Sequence, residues 1–402
     1  MKRILFVDDE PRILEGLQRS LRPCRKEWEM SFANNGQEAL DILAQGAFDV
    51  IVSDMRMPGM DGAQLLELVR DRYPGIMRIV LSGQFEMEAA MRAVPVAHQF
   101  LTKPCDAGKL QAVMERSTGG TSEVAGSEIR HVIAAIGELP ALPSTYAALA
   151  AAIEDPETPL DQIAAIVERD VAVAAKVLQL VNSSFFGLAR EIATVSMAVG
   201  FLGFEVLKQL VITVELFRAF DCGCQVTGFS VEETQRHSRC VAAIAARLPI
   251  PRQCAAATSV AALLHDVGKL VLAARLPEQF QRALHTSRQE GRPLHIIEEE
   301  IAGISHEAIG GYLLGLWGLP ASVVAAVSQH HQPVCATADT TMDTNLAVHI
   351  ADLLEHEASA TSEAGPAAAL DELCHNSPEL LASLPEWRVA AQEIVQREVQ
   401  CH

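Results

Sequence analysis

Residues 48–62 read FDVIVSDMRMPGMDG. An apolar run of strand length ends on an aspartate, and Pro58, Gly59 and Gly62 then set a tight turn into a segment with helical spacing. An apolar run of this kind suits a strand buried on both faces, as in a parallel sheet. The alternation continues on both sides. ILFV at 4–7, MRIVLS at 77–82 and HQFLT at 98–102 read as further strands, and 11–22, 36–45, 61–72 and 84–93 as amphipathic helices. Over residues 1–116 that βα order predicts a parallel sheet covered on both faces.

The strand ends carry Asp8-Asp9, Asp54, Ser82 and Lys103-Pro104. In a parallel sheet the carboxyl ends share one rim, so these residues meet there. Clustered carboxylates repel unless a hard cation such as Mg²⁺ takes their oxygens. Asp54 can then attack a donor phosphoryl group, with the metal and Lys103 offsetting charge on the transferring oxygens. Ser82 can donate to the attached phosphoryl group, and the carbonyl of Arg56 is a further candidate metal ligand.

VDDE, SDMRMPGMDG, the LSG at 81–83 and FLTKP resemble the response-regulator receiver family, whose fold is flavodoxin-like with a five-stranded parallel sheet. The resemblance implies that Asp8, Asp9 and Asp54 hold Mg²⁺, that Asp54 is phosphorylated by a sensor histidine kinase or other phosphodonor, and that Ser82 and Phe100 switch conformation. It also implies a cis peptide between Lys103 and Pro104.

Beyond a small, polar, glycine-bearing stretch at 117–128 (STGGTSEVAGSE), which reads as a linker, the pattern becomes helix after helix. An all-α domain is expected over 129–356, followed by a soft stretch at 357–366 and an acidic helical tail to residue 402. Within it LLHDVGKL at 263–270 sets His265 beside Asp266 among apolar residues, where both need partners. Candidate partners are His237, His306, His330-His331 and Asp352. Neutral imidazoles with two carboxylates suit Mn²⁺, Fe or Zn²⁺, and Lys269, one turn beyond His265, can meet a phosphate.

ELPALPST at 138–145, NSSFFG at 182–187, LLHDVGKL, and the run from His306 through LWGLP to His330-His331-Gln332-Pro333 resemble the HDOD branch of the HD superfamily of metal-dependent phosphohydrolases. The resemblance implies an HD-type metal shell of His237, His265, Asp266, His306, His330 and Asp352. The extended HHE…GYP signature of the related cyclic di-GMP phosphodiesterases is absent from the sequence. At 100° per residue Asp352 lies away from the Leu346–Ile350–Leu353 stripe, so it points inward only if its helix packs on a second face. His349 and His356 read equally well as surface residues, and Glu298-Glu299-Glu300 as a solvated helix face.

Composition bounds the rest. The chain has 402 residues, 49% hydrophobic and 5% aromatic, with 32 basic and 51 acidic residues giving a formal net charge of −19. So acidic a chain without a basic stripe argues against nucleic acid as a partner, including for the faintly helix-turn-helix-like 159–184. Nine scattered cysteines, among them Cys222 and Cys224, read as thiols in a reducing cytoplasm. No uncharged apolar run reaches membrane-spanning length, the segment 195–217 coming closest, so no membrane partner is expected. Three functions are open. The first is a phosphorylation-controlled response regulator whose HDOD domain engages a downstream protein, possible as a homodimer. The second is a metal-dependent phosphodiesterase gated by the receiver. The third is a DNA-binding regulator.

Overall fold

The computed structural model describes residues 2–82, 96–103, 158–182, 192–203, 226–332 except 318, 342–359, 365–374 and 377–400, with isolated positions at 93, 108, 110, 148, 149 and 152. The expected helix at 84–93 (apart from residue 93), the 117–128 linker, ELPALPST, residues 183–187, Cys222, Cys224 and the Lys103-Pro104 peptide lie outside the described residues.

The N-terminal region runs β1 (Lys2–Val7), α1 (Pro11–Ser20), β2 (Trp28–Ala33), α2 (Gly36–Leu43), β3 (Val50–Asp54), α3 (Gly62–Arg72), β4 (Met77–Ser82) and β5 (Gln99–Thr102). Five strands form one parallel sheet in the order β2-β1-β3-β4-β5. The fully buried Ile4, Leu5, Phe6, Ile51, Val52, Ile79 and Val80 explain the unbroken apolar runs. The strand β2 is an addition to the four read from the sequence. It lies at the sheet edge with a half-exposed, alternating pattern that lacks such a run.

Local chemistry starts the helices where the sheet needs them. Asn35 Oδ1 accepts from the Glu38 amide at 2.9 Å at the start of α2, and Asp61 with Gln64 forms a reciprocal capping box at the start of α3. Gly62 is required by close approach. A Cβ there would lie 2.1 Å from the Asp54 carbonyl oxygen, so only glycine lets α3 start directly beneath the acceptor strand.

The C-terminal region is helical throughout its described residues: α4 (Leu160–Glu168), α5 (Val171–Asn182), α6 (Val231–Ala245), α7 (Arg252–Leu264), α8 (Val267–Arg275), α9 (Pro277–Glu290), α10 (Leu294–Ala302), α11 (His306–Leu316), α12 (Ala321–Ser328), α13 (Thr344–Ser359), α14 (Gly365–Cys374) and α15 (Pro378–Gln400). The α4–α5 pair at 159–184 is core packing, since ten of the twelve residues of α5 are buried. Among the described residues, Arg252–Arg275 is a stretch long and apolar enough to cross a membrane, and 78% of its most apolar window is buried inside the protein; most of 195–217 lies outside the described residues.

The expected boundary at 356 falls inside α13, and the segment beyond it is no detached tail. Leu370, Cys374, Leu380, Leu384, Trp387 and Ala391 join the buried core, with α15 packed on α13 and α6. Ion pairs from Arg388 to Glu357 and Asp371, and from Arg239 to Glu398, tie α15 in place. Asp352 is buried on another face of α13, which packs on α6 and α7 and turns the carboxylate to His237 and His265.

Candidate functional site

The sheet topology delivers Asp8, Asp54 and Lys103 to one rim. Asp8 follows β1, Asp54 ends β3, and Lys103 follows β5. Asp8, Asp9 and Asp54 offer oxygens all within 4.8 Å of one another. Lys103 Nζ lies 2.7 Å from Asp8 Oδ2 and 2.5 Å from Asp54 Oδ1. Burial raises the Asp54 pKa, an effect the Lys103 ammonium only partly offsets. Burial works against the charged Lys103 too, but hydrogen bonds to Asp54 and Asp8 more than reverse it and raise its pKa. Arg56 is exposed in the loop after Asp54, and Phe100 is buried in β5. Ser82 ends β4 paired with Thr102, and its side chain lies outside the described residues.

The second site forms where helices end. His265 closes α7 and Asp266 precedes α8, so the two side chains flank a break between helices. Gly268 makes the neighbouring crossing possible, because a Cβ there would lie 1.9 Å from the His306 carbonyl oxygen. His306 is the first residue of α11, His330 and His331 follow α12, His237 lies on α6, and Asp352 on α13. All six residues expected from the sequence therefore converge. His237, His265 and Asp352 offer ligand atoms mutually within 4.8 Å, as do His265, Asp266 and His330.

His331 completes a further triad with His306 and His330. Its Nε2 is 3.0 Å from His306 Nε2, while its ring stacks on His295 at 4.5 Å. On the other side His237 Nε2 is 3.1 Å from His265 Nε2. Asp266 lies between the two groups. Its Oδ2 is 3.5 Å from His265 Nε2 and 3.6 Å from His237 Nε2, and its Oδ1 is 3.4 Å from His306 Nε2 and 3.8 Å from His330 Nε2.

The outer nitrogens fix the tautomers. Nδ1 of His265 meets the Ala262 carbonyl at 2.8 Å, and Nδ1 of His330 meets the Val327 carbonyl at 2.8 Å. Both are helix-end carbonyls without an intrahelical donor. Nδ1 of His306 meets Glu298 Oε2 at 2.6 Å, and Nδ1 of His237 meets Glu355 Oε2 at 2.7 Å. These oxygens only accept, so each Nδ1 carries a proton and each Nε2 is turned inward. That is the pattern of metal-ligating histidines held by an outer carboxylate or carbonyl.

Buried His330 Nε2 and Asp266 Oδ1 have no hydrogen-bond partner within the protein. Two nitrogens about 2.1 Å from a shared ion stand about 3.0–3.4 Å apart, which the facing Nε2 pairs match. The residues therefore fit a divalent cation, with two groups of nitrogen donors sharing Asp266.

Electrostatics agrees. Burial holds the His265 and His330 pKa values down, keeping both rings neutral. Asp266 and Asp352 stay ionised against burial, the first through Lys269 and its histidines, the second through His356 and His237. Lys269 Nζ bonds Asp266 Oδ2 at 2.6 Å, so it is seated at the site. Burial opposes charge on His237, but Asp352 and Glu355 lift its pKa to about 10.

Three sequence readings change here. Glu298 is fully buried and holds His306, while Glu299 and Glu300 alone face solvent. His349 is half-buried with Nδ1 2.5 Å from the His330 carbonyl. His356 keeps an exposed edge but bonds Asp352 at 3.1 Å. Glu298 and Glu355 are the site residues that the sequence reading missed, and His331, a candidate partner there, joins the six residues of the implied shell.

Residues 4–115 match the response regulator receiver domain, and residues 139–333 match the HDOD domain. The chain is a response regulator with an HDOD output domain. An uncharacterized protein of Treponema pallidum is 28% identical over 49% of this chain and 38% of its own length. The response regulator protein PilR of Pseudomonas aeruginosa is 33% identical over 28% of this chain and 25% of its own. The chain thus spans between a quarter and two fifths of these relatives. The crystal structure of a virulence factor from Campylobacter jejuni, 18% identical with a TM-score of 0.51, covers 67% of this chain and 99% of its own, a likeness of fold. Asp352 and Glu355 lie beyond the HDOD match, on α13. In this response regulator the site draws on helices outside the matched segment.

Proposed function

We propose that this response regulator accepts a phosphoryl group on Asp54 and that its HDOD domain is a divalent-metal site that hydrolyses a phosphoester. A receiver domain implies a phosphodonor such as a histidine kinase. In this reading Asp8, Asp9, Asp54 and the Arg56 carbonyl hold Mg²⁺, and Lys103 moves from the carboxylates to the incoming phosphoryl oxygens. His237, His265, Asp266, Asp352, His306, His330 and His331 hold Mn²⁺, Fe or Zn²⁺.

One observation carries the metal reading: four imidazoles, three of them fully buried, donate Nδ1–H outward and turn Nε2 toward the two oxygens of Asp266. Signalling by protein contact alone gives no reason to bury His330 Nε2 and Asp266 Oδ1 without partners, because each costs free energy without a donor or a cation. A bound divalent cation supplies positive charge against phosphoester oxygens and acidifies a water. Lys269, whose Nζ lies beside Asp266 at 2.6 Å, would bind and orient a phosphate oxygen. Glu298 and Glu355 hold the rings of His306 and His237 through the cycle.

Metal analysis of the full chain, paired with manganese-dependent cleavage of bis-p-nitrophenyl phosphate, tests the output reading. Bound metal and cleavage, both lost in Asp266→Ala and His265→Ala, are expected. A metal-free wild type that gains nothing from manganese would leave only the interaction reading. Labelling by acetyl phosphate with magnesium, lost in Asp54→Ala, tests the input.

A further inference from the structure

The strand β5 makes polar contacts beyond both of its ends. Past its carboxyl end, Lys103 bonds Asp54 and Asp8. At its start, Gln99 Nε2 donates to the carbonyl of Leu316 in the HDOD domain. Immediately before the strand, the His98 carbonyl accepts from Gln179 Nε2 at 3.2 Å. Both glutamines are buried, so neither contact is readily traded for one to water. Beside them the Lys176 ammonium sits 5.1 Å from the centre of the Trp317 ring, which follows α11.

Each helix touched in this way leads to the histidine cluster. Leu316 is the last residue of α11 and His306 the first, so the receiver holds one end of a rod about 15 Å long whose other end carries a site residue. Gln179 stands near the end of α5. The start of α5 is capped by the fully buried Asp170, whose Oδ1 accepts from the Ala172 amide at 3.0 Å and from Gln235 Nε2 at 3.2 Å. Gln235 precedes His237 by two residues on α6. The two rods therefore end on different halves of the cluster: His306 groups with His330 and His331, and His237 with His265 and Asp352.

We propose that β5 sets the spacing between the two halves of the HDOD cluster, so that a phosphoryl group on Asp54 changes the affinity of the cluster for a divalent cation. This rests on the metal-site reading given above. A phosphoryl group competes with Asp54 and Asp8 for Lys103. Repositioning Lys103 loads a strand only about 13 Å long, and its far end is fastened to α11 and α5 through buried backbone carbonyls. Linkage requires the reverse effect: a cation in the cluster changes the affinity of the receiver for a phosphoryl group by the same factor.

The test uses the full chain in saturating Mg²⁺, which keeps the receiver rim filled, titrated with Mn²⁺ in the presence and absence of beryllofluoride as a phosphoryl mimic. A change of at least about 5-fold in the manganese Kd is expected. Gln99→Ala and Gln179→Ala, singly and together, should still bind beryllofluoride and manganese while the ratio falls below about 2-fold. Hydrogen exchange at residues 313–317 of the wild type gives a readout independent of any variant, and protection there should change with beryllofluoride. Manganese bound equally tightly in both states, with unchanged exchange, overturns the coupling and leaves the metal site standing. A full shift retained in the double variant overturns the route through β5. A wild type that binds no manganese in either state overturns the metal reading and this inference with it.

Discussion

At the receiver rim one ammonium, Lys103, lies within 2.7 Å of both Asp8 and Asp54, so the carboxylates already have a cation. In the HDOD cluster Lys269 reaches one oxygen of Asp266, while the other oxygen and the Nε2 of His330 remain buried without a partner. The first arrangement suits a site whose charge changes repeatedly, because Lys103 can pass between carboxylate and phosphoryl oxygens. The second suits a resident ion, because its buried donors are held from behind by carbonyls and carboxylates and are incomplete alone. Two places that gather acids thus differ in whether the protein completes its own charge balance.

The sharpest way to break this comparison is to remove Asp266, the residue shared by both histidine groups. Asp266→Ala should lower manganese affinity by more than about 100-fold, as read by calorimetry, because both groups lose an anionic oxygen. Lys103→Ala in the receiver removes no ligand of the cluster and should shift its manganese affinity by no more than about 10-fold, the scale of coupling through β5. Similar losses from both changes would mean that the two sites are not distinct in kind.

The next effect concerns the outer carboxylates. Glu298→Gln and Glu355→Gln keep shape but give up the anion behind His306 and His237. Each should weaken manganese binding by about 10- to 100-fold. Retained affinity would reduce these glutamates to buried hydrogen-bond partners.

The two close glycines extend the contrast to backbone. Gly268→Ala places a Cβ on the His306 carbonyl, and Gly62→Ala places one on the Asp54 carbonyl. Each should cost about 1–3 kcal/mol in denaturant unfolding of its own domain. Only Gly268→Ala should also shift manganese affinity, because α8 and α11 must separate to relieve the clash.

How much of this was legible in the sequence follows the same divide. A parallel sheet brings its strand ends to one rim whatever the details, so Asp8, Asp54 and Lys103 could be placed together from spacing and alternation. The strand β2 escaped because WEMSFA is a half-exposed edge strand following a charged segment. In the helical domain the six expected residues were recognisable as motifs, yet which helix faces met was not. Glu298 looked solvated within an acidic triplet, although Gly303 turns the chain between it and His306, eight residues on. Glu355 stands three residues after Asp352, hence on the same helix face, a signal that could have found it. His331 was named beside His330 as a candidate partner, and the turn after α12 lets both adjacent rings face the site.

The smallest expected effect separates the two regions by pH. In the metal-free protein His237 has a pKa of about 10, against roughly 6.5 when unfolded. Between these values the folded state holds a proton that the unfolded state has released. This contribution to stability is fully present below about pH 6.5 and is lost as pH rises through 10, by roughly 1 kcal/mol per pH unit in the middle of the window. At the rim the Asp54 pKa is raised, so its contribution is present below about pH 4 and is lost as pH rises through the folded value, an acid-side window. Denaturant unfolding of the metal-free chain from pH 7 to 9 should therefore show falling stability, with a shallower slope in Glu355→Gln, where His237 keeps Asp352 but loses the second carboxylate holding its charge. Manganese should reverse the sign of the slope, because ligation needs His237 neutral and strengthens as pH rises. A slope unchanged by manganese would place His237 outside the ligand set and return it to a buried ion pair with Glu355.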